Sequence, residues 1–176
     1  SGHINTVGIN LYLSMLKSAL NKFKSNNEKD LIRTEVNFYD SSYISDTYLP
    51  SALERLKIYK SINSVENLQE LNKVKTNLED RCGSIPEETL NLINNAEIGL
   101  LINSRGIKKV SSNENKTSLL LSPSIKKYVF DNILTLITNE PNIYSINKDN
   151  RFIIDMIEPV PANRRRIISK LLNDII

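Results

Sequence analysis

Residues 107–121, IKKVSSNENKTSLLL, decide the predicted fold class of this chain. Residues 107–111 and 117–121 have the apolar and β-branched content of strands. The polar run 113–116 between them is typical of a turn. The stretch therefore predicts a β-hairpin, and it marks a change of character from the helical pattern that precedes it.

Downstream of this hairpin, helices and strands alternate. A short helix is predicted after Pro123, and a second strand pair is predicted at 143–146 and 152–157 around a turn at 147–150. Beyond Pro159 and Pro161, Asn163 is the expected cap of a last helix. The apolar positions of these two helices are Ile125, Val129, Ile133 and Leu136, and then Ile167, Ile168, Leu171, Leu172 and Ile175.

Upstream of the hairpin, the sequence predicts three helices. Pro50 opens the first, Ser64 is the expected cap of the second with Glu66 in its first turn, and the third follows Pro86. Gly83 is expected to end the second helix and Gly106 the third. The expected buried side of the third helix is Leu90, Ile93, Ala96, Leu100 and Leu101.

The N-terminal region is expected to stand apart from this domain. Residues 4–23 have the spacing of an amphipathic helix, 25–30 are polar, and 34–44 suit an extended segment. We therefore expect a helical arm at 1–24, a linker at 25–47, and one compact, layered α+β domain at 48–176, with helices followed by hairpins that alternate with helices. Because the chain begins with Ser1, we expect it to be part of something longer.

Composition excludes several functional classes. The 176 residues carry a formal net charge of +3, which is too balanced to indicate nucleic-acid binding by bulk charge alone. No apolar run approaches the roughly 20 residues that span a bilayer, so no membrane association is expected. With one cysteine (Cys82), one histidine (His3) and no glycine-rich phosphate loop, the sequence predicts no metal site and no catalytic residues.

Two charged groups remain as candidate sites. Asp80 lies in the last turn of the second helix, where the dipole disfavours a carboxylate, so Asp80 is expected to pair either locally, with Arg81 or a lysine, or with a partner elsewhere. Arg164, Arg165 and Arg166 form either a phosphate contact or a solvated face. Cys82 is expected to be a small buried hydrophobic residue.

These features favour an interaction module without chemistry of its own. The alternative is a nucleic-acid-binding module that uses the basic clusters, namely 164–166 together with the lysine pairs 108–109 and 126–127.

An ordered set of short motifs gives a more specific interpretation. They are Gly2-His3-Ile4, Val7-Gly8, Leu11-Tyr12, Tyr48-Leu49-Pro50-Ser51, Arg55-Leu56, Tyr59-Lys60, Asn77-x-x-Asp80-Arg81-Cys82-Gly83-x-x-Pro86 and Gly106-Ile107. Together they resemble the C-terminal region of bacterial transcription-repair coupling factors, from the start of the chain to about residue 122. The first three motifs resemble the stretch that leaves the preceding motor domain. Three positions depart from the family pattern: Ser51 replaces Asp, Asn77 replaces Glu, and Cys82 replaces an aromatic residue.

The resemblance implies a regulatory rather than a catalytic role. It implies that the domain docks on the UvrB-like module of the same longer chain and masks the UvrA-binding surface of that module, an autoinhibition in nucleotide-excision repair. The implied docking residues are Asn77, Asp80 and Arg81, with Arg55 and Tyr59 as possible additional contacts. Asn77 lacks the carboxylate that is usual in the family, so the departure concerns the strength of docking rather than the position of the docking surface.

The same resemblance implies properties of the longer protein. It would be a cytoplasmic, ATP-dependent DNA translocase that uses ATP and Mg²⁺ and contacts RNA polymerase, UvrA and double-stranded DNA. No cofactor is expected in the present chain.

Overall fold

The computed structural model describes residues 34–176. The predicted arm at 1–24 and the first part of the predicted linker lie outside the described residues. The described chain divides into two units. A helical unit comprises Ser41–Asn94, and a sheet unit comprises residues 34–40 together with Asn95–Ile176.

Helices α1 (Ala52–Ser64) and α2 (Leu68–Cys82) belong to the helical unit, and α3 (Glu87–Asn103) begins there. Helix α1 begins at Ala52, two residues after the predicted opening at Pro50, and the hydroxyl of its N-cap Ser51 accepts a hydrogen bond from the Glu54 backbone N–H at 3.3 Å. Helix α2 ends at Gly83, as predicted.

The start of α2 differs from the prediction, because its N-cap is Asn67 rather than Ser64. The Asn67 Oδ1 accepts from the Glu70 N–H at 2.9 Å, and the Glu70 carboxylate accepts from the Glu66 N–H at 2.8 Å. This arrangement is a variant of the capping box in which the Glu70 carboxylate reaches the N–H of the residue before the cap. Ser64 instead closes α1, since its hydroxyl donates to the carbonyl oxygens of Lys60 and Ser61.

Helix α3 buries polar residues that the sequence pattern had not indicated. Of the predicted buried side, Ile93 is buried, whereas Leu90, Ala96, Leu100 and Leu101 are only partly buried. Thr89 and Asn91 are buried because the Thr89 hydroxyl donates to the Tyr43 carbonyl and the Asn91 amide donates to the Ser41 carbonyl, each at 3.0 Å. A polar side chain with a hydrogen-bond partner can be buried at little cost.

The sheet unit contains a five-stranded mixed sheet, which confirms the α+β class. Its strands are β1 (Glu35–Asn37), β2 (Ile107–Ser112), β3 (Lys116–Leu121), β4 (Tyr144–Ile146) and β5 (Arg151–Asp155). The order is β1-β2-β3-β5-β4. The β2–β3 and β4–β5 hairpins are confirmed, and a β3–β5 pair joins them. Strand β1 pairs with β2 in parallel.

Helices α4 (Lys127–Asn139) and α5 (Pro161–Ile175) complete the sheet unit. Alternate strand residues and one side of each helix form its core, which includes Val110, Leu119, Phe152, Ile154, Val129, Ile133, Ile168 and Leu172. Asn163 is not the cap of α5, because the helix already begins at Pro161, where the missing N–H of proline has no cost. None of the helices in residues 34–176 is long and apolar enough to cross a bilayer.

Candidate functional site

The three predicted docking residues lie together at the end of α2. Asn77, Asp80 and Arg81 are exposed, and their spacing of three and four residues places them on one side of the helix. Gly83 adopts a φ of 81°, and its N–H donates to the Glu79 carbonyl at 2.9 Å. The glycine thereby ends the helix and leaves this group, the α2-end surface, facing solvent.

Arg81 forms an ion pair with another helix. Its Nη2 lies 3.0 Å from the Glu54 Oε2 in α1, and the other oxygen of Glu54 lies 3.0 Å from the Lys57 Nζ. The hydrogen bonds from Lys57 and Arg81 lower the pKa of Glu54. Sequence reasoning missed Glu54; an acidic residue in the first turn of a helix was visible, but its partner across 27 residues was not.

Asp80 has a different environment. Within residues 34–176 its carboxylate forms no ion pair with Arg81 or with a lysine. The local pairing that the sequence allowed for Asp80 is therefore wrong within the described part of the chain. The carboxylate is left exposed at the negative end of the helix dipole.

Arg55 and Tyr59, the predicted additional contacts, are engaged inside the helical unit. The Arg55 Nη1 donates to the carbonyl oxygens of Leu49 and Pro50 at 2.7 and 2.8 Å. The Tyr59 hydroxyl accepts from the Ile44 N–H at 2.7 Å. Burial raises the pKa of Tyr59, against smaller opposing effects of that hydrogen bond and of the Arg55 charge. Both side chains organise the segment that leads into α1, and their role in docking stays a prediction.

Tyr48 hydrogen-bonds to the backbone at the end of α2, a role that sequence reasoning had not assigned. Its hydroxyl lies 3.3 Å from the Leu78 carbonyl oxygen and 3.1 Å from that of Gly83. The Leu78 carbonyl lies just before the last turn of α2, and the Gly83 carbonyl belongs to the residue that caps the helix. The neighbouring Cys82 is a free thiol that is partly buried, rather than fully buried as predicted.

Two members of the arginine cluster, Arg164 and Arg165, are buried and so form neither a solvated face nor an accessible phosphate contact. Arg164 is 0% exposed and Arg165 is 6% exposed. The Arg164 Nη2 donates to the carbonyl oxygens of Glu114 and Met156. Arg166 is exposed and bonds Asn163 on its own helix. The cause is register, since Arg164 shares a side of α5 with Ile168 and Leu172.

The lysine pairs are also partly neutralised. The Lys109 Nζ lies 2.9 Å from the Glu35 Oε2, and the Lys127 Nζ lies 2.6 Å from the Asp131 Oδ2. Lys108 and Lys126 are exposed. The charge available to a nucleic acid is therefore smaller than the sequence indicated.

Comparison with known proteins identifies a family match that covers part of the chain. Residues 40–130 match the TRCF domain family, and this range contains the α2-end surface but not the arginine cluster. The transcription-repair-coupling factor of Escherichia coli is 32% identical over 119 residues, which are 65% of this chain and 10% of that protein. That of Rickettsia conorii is 30% identical over 156 residues, which are 87% of this chain and 14% of that protein.

A solved structure has the same fold. It is the C-terminal domain of a transcription-repair coupling factor, and its TM-score with this chain is 0.67 at 17% sequence identity. The match covers 81% of this chain and 93% of the solved one. At this identity the likeness concerns the fold. The chain spans only 10–14% of the two curated relatives named above. With a family match over more than half of its length, the chain belongs to the TRCF domain family.

Proposed function

We propose that this chain is a non-catalytic, autoinhibitory domain of a transcription-repair coupling factor. It docks through the α2-end surface on the UvrB-like module of the same longer protein and masks the UvrA-binding surface of that module. Engagement of the longer protein with RNA polymerase would release it. The chain itself hydrolyses no ATP.

The observation that carries the proposal is the exposure of Asn77, Asp80 and Arg81 together at a helix end. Glu54 and Tyr48 hold this end in place, so a partner meets an ordered group of side chains at a low entropic cost. Membership of the TRCF family supports the assignment of partner.

The energetic demand on this surface is small. Autoinhibition requires only that the closed state be a few kcal/mol more favourable than the open state. Two modules of one protein meet at an effective concentration in the millimolar range, so weak contacts suffice. Three exposed polar side chains, one of them without the carboxylate of the family pattern, are consistent with such a contact.

Titration calorimetry of this chain against the separately produced UvrB-like module of the same protein tests the proposal. We expect measurable binding, and we expect the double substitution Asp80→Ala with Arg81→Ala to weaken it by more than about 1 kcal/mol. In the full-length protein the same pair should increase UvrA binding.

The matched control is Asn72→Ala with Glu79→Ala, which alters exposed residues on another side of α2. It should leave both measurements unchanged. Equal effects of the two double variants would contradict the proposal. Binding to double-stranded DNA that weakens steeply with salt and requires Lys108 and Lys126 would support a nucleic-acid-binding module instead.

A further inference from the structure

The sheet unit is interrupted in sequence. Its chain leaves after Asp40 and returns at Asn95, and the helical unit occupies the residues between. The first piece is short, and among the strands of residues 34–176 its three-residue strand β1 pairs with β2 alone. Holding Asp40 and Asn95 in one unit closes the long loop between them, which has an entropic cost. Contacts that fix these two residues must offset that cost.

Arg165 contacts both of these points. Its Nη2 lies 2.6 Å from the Asp40 Oδ2, and its Nε donates to the Asn95 Oδ1 at 2.9 Å. Its guanidinium carbon lies 4.8 Å from the centre of the Phe38 ring, over the face of that ring. One side chain of α5 thus meets the last residues of the first piece and the first residue of the second.

The contacts are buried. The side chains of Arg165 and Asp40 are 7% and 14% exposed, and Asn95 is 7% exposed. A planar guanidinium can bond two acceptors in fixed directions while it stacks on an aromatic ring, which an ammonium group cannot do.

Burial also limits what the pair contributes to overall stability. The second oxygen of Asp40 is buried and accepts no hydrogen bond within the described residues. A buried ion pair adds little net stability over a well-packed apolar pair, but removal of one partner alone leaves an uncompensated buried charge.

We propose that Arg165 is a positioning residue that closes the sheet unit, holding residues 36–40 and Asn95 to α5 at the two points where the chain departs and returns. Its neighbours have other partners: Arg164 bonds carbonyls of the sheet unit, and Arg166 bonds its own helix. The proposal does not depend on the docking function.

Amide hydrogen exchange by NMR on the whole chain tests this. In Arg165→Met we expect the protection of the amides of residues 36–40 to fall at least about tenfold further than that of Leu119 and Phe152 in the central strands, whose loss reflects only the global cost of leaving Asp40 unpaired. The control Arg166→Met should change neither set.

Two further variants separate the two contacts. Asp40→Asn should loosen residues 36–40 but leave the Arg165 Nε–H in slow exchange, because Asn95 still accepts from it. Asn95→Ala should release that Nε–H and leave residues 36–40 protected. If Arg165→Met does not fold, Asp40→Asn decides the question. Unchanged protection at 36–40, an equal loss in the central strands, or the same loss in Arg166→Met would overturn the proposal.

Discussion

The guanidinium of Arg81 and the carboxylate of Glu54 form an ion pair of 3.0 Å that joins the end of α2 to the start of α1. The pair orients Arg81 toward α1 and leaves the adjacent Asp80 facing solvent. Of these two neighbouring residues, Arg81 is already paired with Glu54, whereas the carboxylate of Asp80 is available to a docking partner.

Because these charges are exposed, they should matter little for folding. The double variant Asp80→Ala with Arg81→Ala should change the free energy of unfolding of this chain by at most about 1 kcal/mol. Urea denaturation followed by circular dichroism measures it. A clear loss of stability would mean that the α2-end surface is part of the architecture rather than a docking surface.

The N-cap residue Asn67 should contribute more to the free energy of unfolding than Ser64, the residue that the sequence indicated as the cap. Asn67→Ala removes the bond to the Glu70 N–H and should cost about 1 kcal/mol. Ser64→Ala removes a hydroxyl at the exposed end of α1 and should cost no more than about 0.5 kcal/mol. Urea denaturation of both variants checks the order, and a reversed order would contradict the assignment of the cap.

The buried Arg164 should be essential to the sheet unit. Replacing it with alanine leaves the Glu114 and Met156 carbonyl oxygens without this donor and opens a cavity, but it also removes the Nε and Nη1 groups, which are buried without a partner within the described residues, so we expect a net loss of about 1–3 kcal/mol. Arg166→Ala, on the exposed side, should cost no more than about 0.5 kcal/mol. Thermal unfolding compares the two, and equal melting temperatures would show that the contacts of Arg164 contribute no net stability.

Two glycines should respond in opposite directions to alanine. At Gly106, with φ of 86°, a Cβ would lie 2.4 Å from the Ile125 Cα, so Gly106→Ala should destabilise by more than about 2 kcal/mol. At Gly99, inside α3, the nearest atom would lie 3.7 Å away. Gly99→Ala should therefore stabilise by about 0.5–1 kcal/mol. Denaturation midpoints of the two variants measure both signs.

The attachment of strand β1 should weaken in acid. Burial alone would raise the pKa of Glu35, but hydrogen bonds from Lys109 and Asn37 outweigh it, and the pKa is lowered. A lowered folded-state pKa means that this stabilisation is complete above the unfolded-state value and is lost as the pH falls through the folded-state value.

The variant Glu35→Gln isolates this effect. Its stability relative to the unmodified chain should be lower at neutral pH, and the difference should shrink as the pH falls through the folded-state pKa of Glu35. Urea denaturation at a series of pH values provides the measurement. A difference that stays constant with pH would show that the carboxylate charge has no part in it.

Local features of this fold were accessible from sequence, and contacts distant in sequence were not. The β2–β3 hairpin follows from its own residues, since a polar turn separates two apolar runs. The choice between Ser64 and Asn67 needed Glu70, whose spacing from Asn67 completes a variant of the capping box that was present in the sequence but was not recognised.

The burial of arginine is the clearest case of what could not be predicted. The spacing of Arg164 from Ile168 and Leu172 marks the apolar side of α5, but the sequence does not show that the carbonyl oxygens of Glu114 and Met156 accept hydrogen bonds from Arg164 there. The partners of Arg165 lie still further away in the chain. The placement of Asn77, Asp80 and Arg81 on one side of α2, by contrast, follows from helix period, and Gly83 ends the helix beside them, as predicted.

The parallel pairing of β1 with β2 bears on the order in which the protein assembles. The ribosome completes Glu35–Asn37 long before it reaches Ile107–Ser112, so this edge strand leaves the exit tunnel without its partner. The strands from β2 onward can form their hairpins soon after synthesis, because each turn is short. The strand made first is therefore the one that joins the sheet by the longest loop closure, and folding rates should be limited by that late step rather than by the hairpins.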